Sequence, residues 1–274
     1  FSRSITNVGL ETGDVFYAGC NSKDTCTNLF LMGEDLEIVT QEQSNSLELL
    51  QKLKQQYSIY YAEIWCQLVL NLRGFAENPY RLIGDGCDED RLLPKLQADQ
   101  NQTLLAILHL AKGILLYLLE DYENSVTCNA LTRQYIESCA AMATVPTHNL
   151  YESLALLAQY RHIDLEQKDS EQQDLEQSSQ IQQVKANQEK MEYWADHAPQ
   201  NFRHKYDLVE AERHRVLGNK AEAIDLYDRA ISGAKENGYI QEEALANELA
   251  AKFYLDWGKE KVAADYMQEA YYCY

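Results

Sequence analysis

Apolar residues recur along this chain at helical spacing, and the register is sharpest near the C-terminal end. There VLGNKAEAIDLYDRAISG, from Val216, aligns without a gap on DWGKEKVAADYMQEAYYC, from Asp256. Gly218 matches Gly258, Ala223 matches Ala263, Leu226 matches Tyr266 and Ala230 matches Ala270, each 40 residues on. Gly218 and Gly258 are expected to close one helix and allow a tight turn into the next. Ala223 and Ala230 lie two turns apart on one face, where small side chains let a partner helix approach. Leu226, Tyr227 and Ile231 extend the same apolar stripe. Ala263 and Ala270 repeat it.

This is the helix-turn-helix unit of a tetratricopeptide (TPR) repeat, whose usual period is about 34 residues. A period of 40 implies longer helices or a longer connection. Weaker punctuation of the same kind lies upstream. Gly33 in LFLMGEDLEIV and Gly74 in LVLNLRGFAENP mark helix–helix turns, and LLYLLEDYENSV has Glu120 where a glycine would stand. Helices at about 147–161 and 170–196 fill the remaining gap. The expected fold is therefore all-α, a TPR-like α-solenoid of about six antiparallel helix pairs with a right-handed superhelix. We expect a single domain over 1–274, most regular over 200–274. Pro146 and Pro199 sit at helix starts, and Asn101 is a plausible N-cap for the helix that follows it. Segment 75–95 reads as an irregular acidic insertion. Segment 166–183, EQKDSEQQDLEQSSQIQQ, reads as a polar low-complexity loop running into a helix that becomes amphipathic near Val184, Met191 and Trp194.

Composition agrees with helices. Only 4 prolines and 12 glycines occur in 274 residues, too few for the turns of a β-rich fold. The net charge of −19 disfavours nucleic acid and anionic membranes and favours basic partners. The longest apolar run, 104–119, is broken by His109 and Lys112 and falls short of a membrane span. Seven cysteines are scattered without a CxxC pair, as expected for reduced thiols in the cytoplasm. Cys128 and Cys139 are expected on one helix. Helical periodicity still runs at the last residue, which suggests a segment of a larger chain.

Residues 187–274 resemble the helical middle region of large cyanobacterial-type signalling hybrids, the multi-sensor signal transduction multikinases. YDRAI, AKENGYIQEEALANELAAKFYL and WGKEKVAADYMQEAYYCY carry the resemblance. ETGDVFYAGC, LFLMGEDLEIV and ENPYRLIGDGCDED extend it toward the N-terminus. The resemblance implies a cytoplasmic parent with a serine/threonine kinase, an AAA-like ATPase, a GAF domain and a histidine kinase, in a two-component setting. It puts none of their catalytic residues in this chain.

Motifs for chemistry are missing from the sequence. There is no GxxxxGK[ST] or GxGxxG phosphate loop and no HRD or DFG, so no cofactor and no catalytic residue are expected. Asp85, Asp88, Glu89 and Asp90 lack the spacing of a calcium loop, and His197, His204 and His214 lack companion ligands for zinc, so no metal is expected either. Glu210 and His214 are four apart and can meet on a helix. The 19 tyrosines suit grooves between helices.

The expected role is protein–protein interaction and signal regulation. In helix-pair stacks the first helix of each pair lines the inner groove. That logic nominates Arg203, Tyr206, Asp207, Glu210, Arg213, Asn247, Glu248 and Lys252 as contacts for a protein or peptide, or for other domains of the parent. Two alternatives stay open: a spacer or oligomerisation arm, and sensing of a small ligand in the groove.

Overall fold

The computed structural model describes Ser2–Glu166 and Glu171–Tyr274, with side chains described over 6–160 and 179–274. It is all-helical. Thirteen α-helices and one 3-10 helix account for nearly all of it, and the described residues form no strand beyond one isolated bridge, Ile83 to Asp88. The chain divides into two compact units, Phe1–His148 and Asn149–Tyr274.

The first unit holds α1 (Ser2–Thr12), α2 (Val15–Leu31), α3 (Leu36–Lys52), α4 (Gln56–Leu72), α5 (Glu89–Ala98), α6 (Gln102–Leu118) and α7 (Tyr122–Tyr135). The 3-10 turn Ile136–Cys139 follows, and α8 (Thr144–Glu166) begins there. Helix α6 is apolar nearly all round and is buried among α4, α5 and α7. Its two polar breaks have partners: Lys112 pairs with Glu89 at 2.6 Å, and His109 stacks on Tyr135. Asn101 caps α6 as expected, accepting from the Leu104 amide at 3.1 Å. Cys26, Leu50, Ile59 and Ala62 form a second cluster, with Leu47 against it. Among the described residues no helix is long and apolar enough to cross a membrane.

The second unit continues α8 and adds α9 (Glu171–His197), α10 (Pro199–Val216), α11 (Lys220–Glu236), α12 (Ile240–Asp256) and α13 (Glu260–Cys273). The 40-residue period is now explained. Helices α11 and α12 are 17 residues each, and three-residue connections separate the helices from α10 to α13. One helix and one connection make 20 residues, and a pair makes 40.

Those connections have one geometry. After α10, the Gly218 amide donates to Arg215 O at 3.1 Å and the Asn219 amide to His214 O at 2.9 Å, a Schellman closure. Gly218 has φ +78°, and Gly33, Gly74 and Gly258 also lie in the left-handed region. Asn219 is at once the last residue of this closure and the N-cap position of α11. Ordinary residues also take the glycine's place: Glu120, as expected, has φ 62°, and Lys54 and Gln100, which were not expected there, have φ of 56° and 52°.

Two expectations need correction. The helix expected at about 170–196 is α9, and residues 171–183, also read as part of a polar loop, belong to it. Their Gln, Glu and Leu side chains are good helix formers, and no glycine or proline interrupts them. Residues 167–170 of that expected loop lie outside the described residues. Cys128 and Cys139 do not share an α-helix, because α7 ends at Tyr135 and Cys139 closes the 3-10 turn. The acidic insertion is irregular up to Asp88 and then becomes α5. It is pinned to α4. Asn71 Nδ2 donates to the carbonyls of Pro79 and Arg81 at 2.9 and 2.7 Å, and Gln67 Oε1 accepts from the amides of Gly86 and Cys87.

Candidate functional site

Pro199 opens α10 at its first turn, where its missing amide proton costs nothing. From there Arg203, Tyr206, Glu210 and Arg213 fall at spacings of three and four, on one side of the helix. Arg203 Nη2 pairs with Asp196 of α9 at 2.7 Å, and its guanidinium lies 5.4 Å from the Tyr206 ring centre. Glu210 is buried and accepts from Arg213, closest at 2.6 Å, and from Gln188 of α9 at 3.0 Å. Gln188 also donates to Tyr206 O at 3.0 Å, which ties the stripe to α9. His214 reaches Glu210 at 3.9 Å, so that expected pairing forms. The carboxylate raises the Arg213 guanidinium further above its ordinary value, chiefly through their hydrogen bond. Burial, then the Glu210 and Glu192 carboxylates, push the Tyr206 hydroxyl up.

On α12, Glu248 and Lys252 pair at 2.6 Å, and the Tyr274 hydroxyl donates to Glu248 at 2.8 Å. Burial and the Glu242 and Glu248 carboxylates push the Tyr151 hydroxyl of α8 up. The nominated residues thus form two groups, Arg203–Tyr206–Glu210–Arg213 and Glu248–Lys252. Asp207 and Asn247 join neither. Asp207 is buried toward α11, paired with Arg229 at 2.7 Å, and burial raises its carboxyl above the usual range against that pull. Asn247 is buried and donates to Glu243 O of its own helix at 2.9 Å.

The most concentrated charge in the unit was not foreseen. His204 and Lys205 both meet Glu242 of α12, with Lys205 Nζ 2.7 Å from its carboxylate, and all three are buried. Lys205 also donates to Asn201 O at 3.0 Å and sits 4.1 Å over the Tyr239 ring. Burial pulls the Glu242 carboxyl upward, but Lys205 and His204 outweigh it and hold it below the usual carboxylate range. A second buried set is Tyr227, Glu212 and Arg215. The tyrosine donates to Glu212, Arg215 pairs with it at 2.6 Å, and Arg215 reaches Leu157 O of α8 at 3.5 Å. The signal for the first set lay in the register. His204 and Lys205 stand 40 residues before Ala244 and Leu245, so two basic side chains occupy core positions.

The other chemical candidates separate. His197 meets Tyr193 O, His204 meets Glu242 and His214 meets Glu210, and the described residues hold no metal-sized group of His, Cys, Asp and Glu. In the acidic insertion Asp88 caps α5, Glu89 lies between Arg81 and Lys112, and Asp90 pairs with Arg81. The cysteines are free thiols, and burial pushes Cys87 up to about 12 and Cys128 up to about 11. Thiols held protonated in this way are poor nucleophiles. What α10 and α12 offer is charge of alternating sign on a rigid frame, suited to complementing another polypeptide. No protein-family model, curated protein or solved structure matches the chain.

Proposed function

We propose that this chain is a non-catalytic, TPR-like interaction scaffold, a stack of about six helix pairs with a right-handed superhelical course, serving a cytoplasmic multidomain signalling kinase of the multikinase type. The carrying observation is the partly exposed stripe of Arg203, Tyr206 and Arg213, fixed to α9 through Asp196 and Gln188. Side chains already held in place lose little freedom on binding. A protein or peptide with complementary alternating charge is the fitting partner.

The test places a photo-cross-linking amino acid at Tyr206 in the full parent chain, with Asp225 on the exposed side of α11 as the control position. The expected result is a discrete second protein linked from 206 and not from 225. Identical products from both positions would overturn the assignment of the surface. Charge reversal should be made at Arg203. The same change at Glu210 would strand Arg213 and Gln188 and disturb the fold.

One observation favours a spacer role as a second reading. The stripe charges already have internal partners, Asp196 for Arg203 and Glu210 for Arg213. Links from 206 only to other parts of the parent chain would support that reading.

A further inference from the structure

In the first unit α2 packs on α1 and on α3, and the three helices line a cleft of about 180 Å³. That is below the volume of about 300 Å³ at which drug-sized pockets begin, so its occupant is small. Two serines point to an occupant. Ser22 of α2 is 4% exposed and Ser46 of α3 is 9% exposed, and both line the cleft. Among the described residues neither hydroxyl has a hydrogen-bond partner. A serine or threonine inside a helix can return its proton to the carbonyl four residues back. Thr25, Thr40 and Ser44 of the same two helices do so, at 2.8, 2.7 and 2.9 Å. Ser22 and Ser46 do not, so two buried hydroxyls keep their donor and acceptor for one shared space.

The wall around them is already set. Asn21 Nδ2 donates to Thr6 Oγ1 at 2.7 Å, and Asn21 O accepts from Thr25, which fixes two further hydroxyls of the lining. Asn45 Oδ1 accepts from Gln41 at 3.3 Å, while its Nδ2 donates to no described residue. Leu49 adds an apolar side. Groups held in place before binding lose little freedom on binding.

The lining selects the class of ligand. Serine and threonine hydroxyls donate and accept through one oxygen, as the hydroxyls of a ligand also do. The asparagine amide adds donors, and Leu49 suits the C–H face of a carbon skeleton. An anion is disfavoured, because the described lining holds the Glu42 carboxylate and no Lys, Arg or His. A cation is disfavoured because Glu42 is already engaged by another group. We infer that this cleft binds a small neutral polyol, up to the size of one sugar ring, through Ser22, Ser46 and Asn45. The site shares no residue with the α10 stripe, so the two assignments fail independently.

The test records saturation-transfer NMR of glycerol, myo-inositol and D-glucose with the full 274-residue chain, and of acetate and methylammonium as charged probes. Each is titrated to about 50 mM, above the millimolar Kd that so few atoms support. Saturable binding of at least one polyol is expected, weakened about three- to tenfold in Ser22→Ala and in Ser46→Ala. Neither substitution removes a hydrogen bond among the described residues, so both variants should melt as the wild type does. Ser44→Ala, exposed and outside the cleft, should bind as the wild type does. Where D-glucose binds, maltose separates two sources of the same chemistry: equal binding assigns the sugar end of a larger molecule, and lost binding assigns a free polyol. Absence of saturable binding by every polyol would overturn the proposal. So would tighter binding of either charged probe, or wild-type affinity in both folded serine variants.

Discussion

Lys54, Gln100 and Glu120 hold a backbone conformation that glycine adopts freely and other residues rarely do. Each stays there because the helix closure satisfies its neighbours' carbonyls. The Glu120 amide donates to Tyr117 O at 3.0 Å and the Asp121 amide to Leu116 O at 2.9 Å. Glu120→Gly should therefore raise stability by about 0.5–1 kcal/mol, the left-handed penalty less the added freedom of the unfolded chain. Gly258→Ala should lower it by about 0.5–1 kcal/mol by the same difference. Urea melts of the two variants check both signs. At this scale Gly33, Gly74, Gly218 and Gly258 were legible because glycine announces a left-handed residue, while Gly13 and Gly238 were passed over. Glu120 was legible by its place in the pattern, while Lys54 and Gln100 carry no such mark.

Between elements, the His204–Lys205–Glu242 set joins α10 to α12 through buried side chains. Removing the anion leaves two basic groups in a buried site, so Glu242→Gln should cost about 3 kcal/mol at neutral pH. The pH dependence has a definite sign. A carboxyl held below its unfolded value contributes fully above about pH 4.3 and loses that contribution as pH falls through the folded value. Denaturation curves should show the gap between wild type and Glu242→Gln closing below about pH 4. A gap that is constant with pH would mean that the glutamate contributes by shape alone. Helix identity over 200–274 was legible because small and apolar residues repeat at 40. The pairing within the buried set was hidden because Glu242 lies 38 and 37 residues from His204 and Lys205, although the register marks those two as basic residues at core positions. The start of α9 reads both as helix and as polar loop, since a polar sequence lacks the apolar stripe that marks a helix while still favouring one.

For the whole molecule, protection should be uneven within the second unit. Helix α10 has neighbours in α9, α11 and α12, whereas α13 packs on α12 and leaves one flank open. Native-state hydrogen exchange should show α13 amides exchanging first and α10 amides last, with rates separated by a factor of about 100. Uniform exchange would mean that the unit opens in one step. The all-helical class could be read from composition and spacing together. The division at His148 could not, because it falls inside α8, two residues after a proline that marks only the start of that helix.

The three-residue connections leave no slack between helices, because Asn219 finishes the closure of α10 and occupies the cap position of α11. Angular phase therefore passes along the chain like the setting of a gear train. One extra residue inside such a connection would turn everything after it by about 100° about the helix axis. Ala223 and Ala230 would swing away from α10 while charged residues swung in. Over this stretch the chain tolerates substitution far better than insertion, and length variation belongs at the irregular segment before α5.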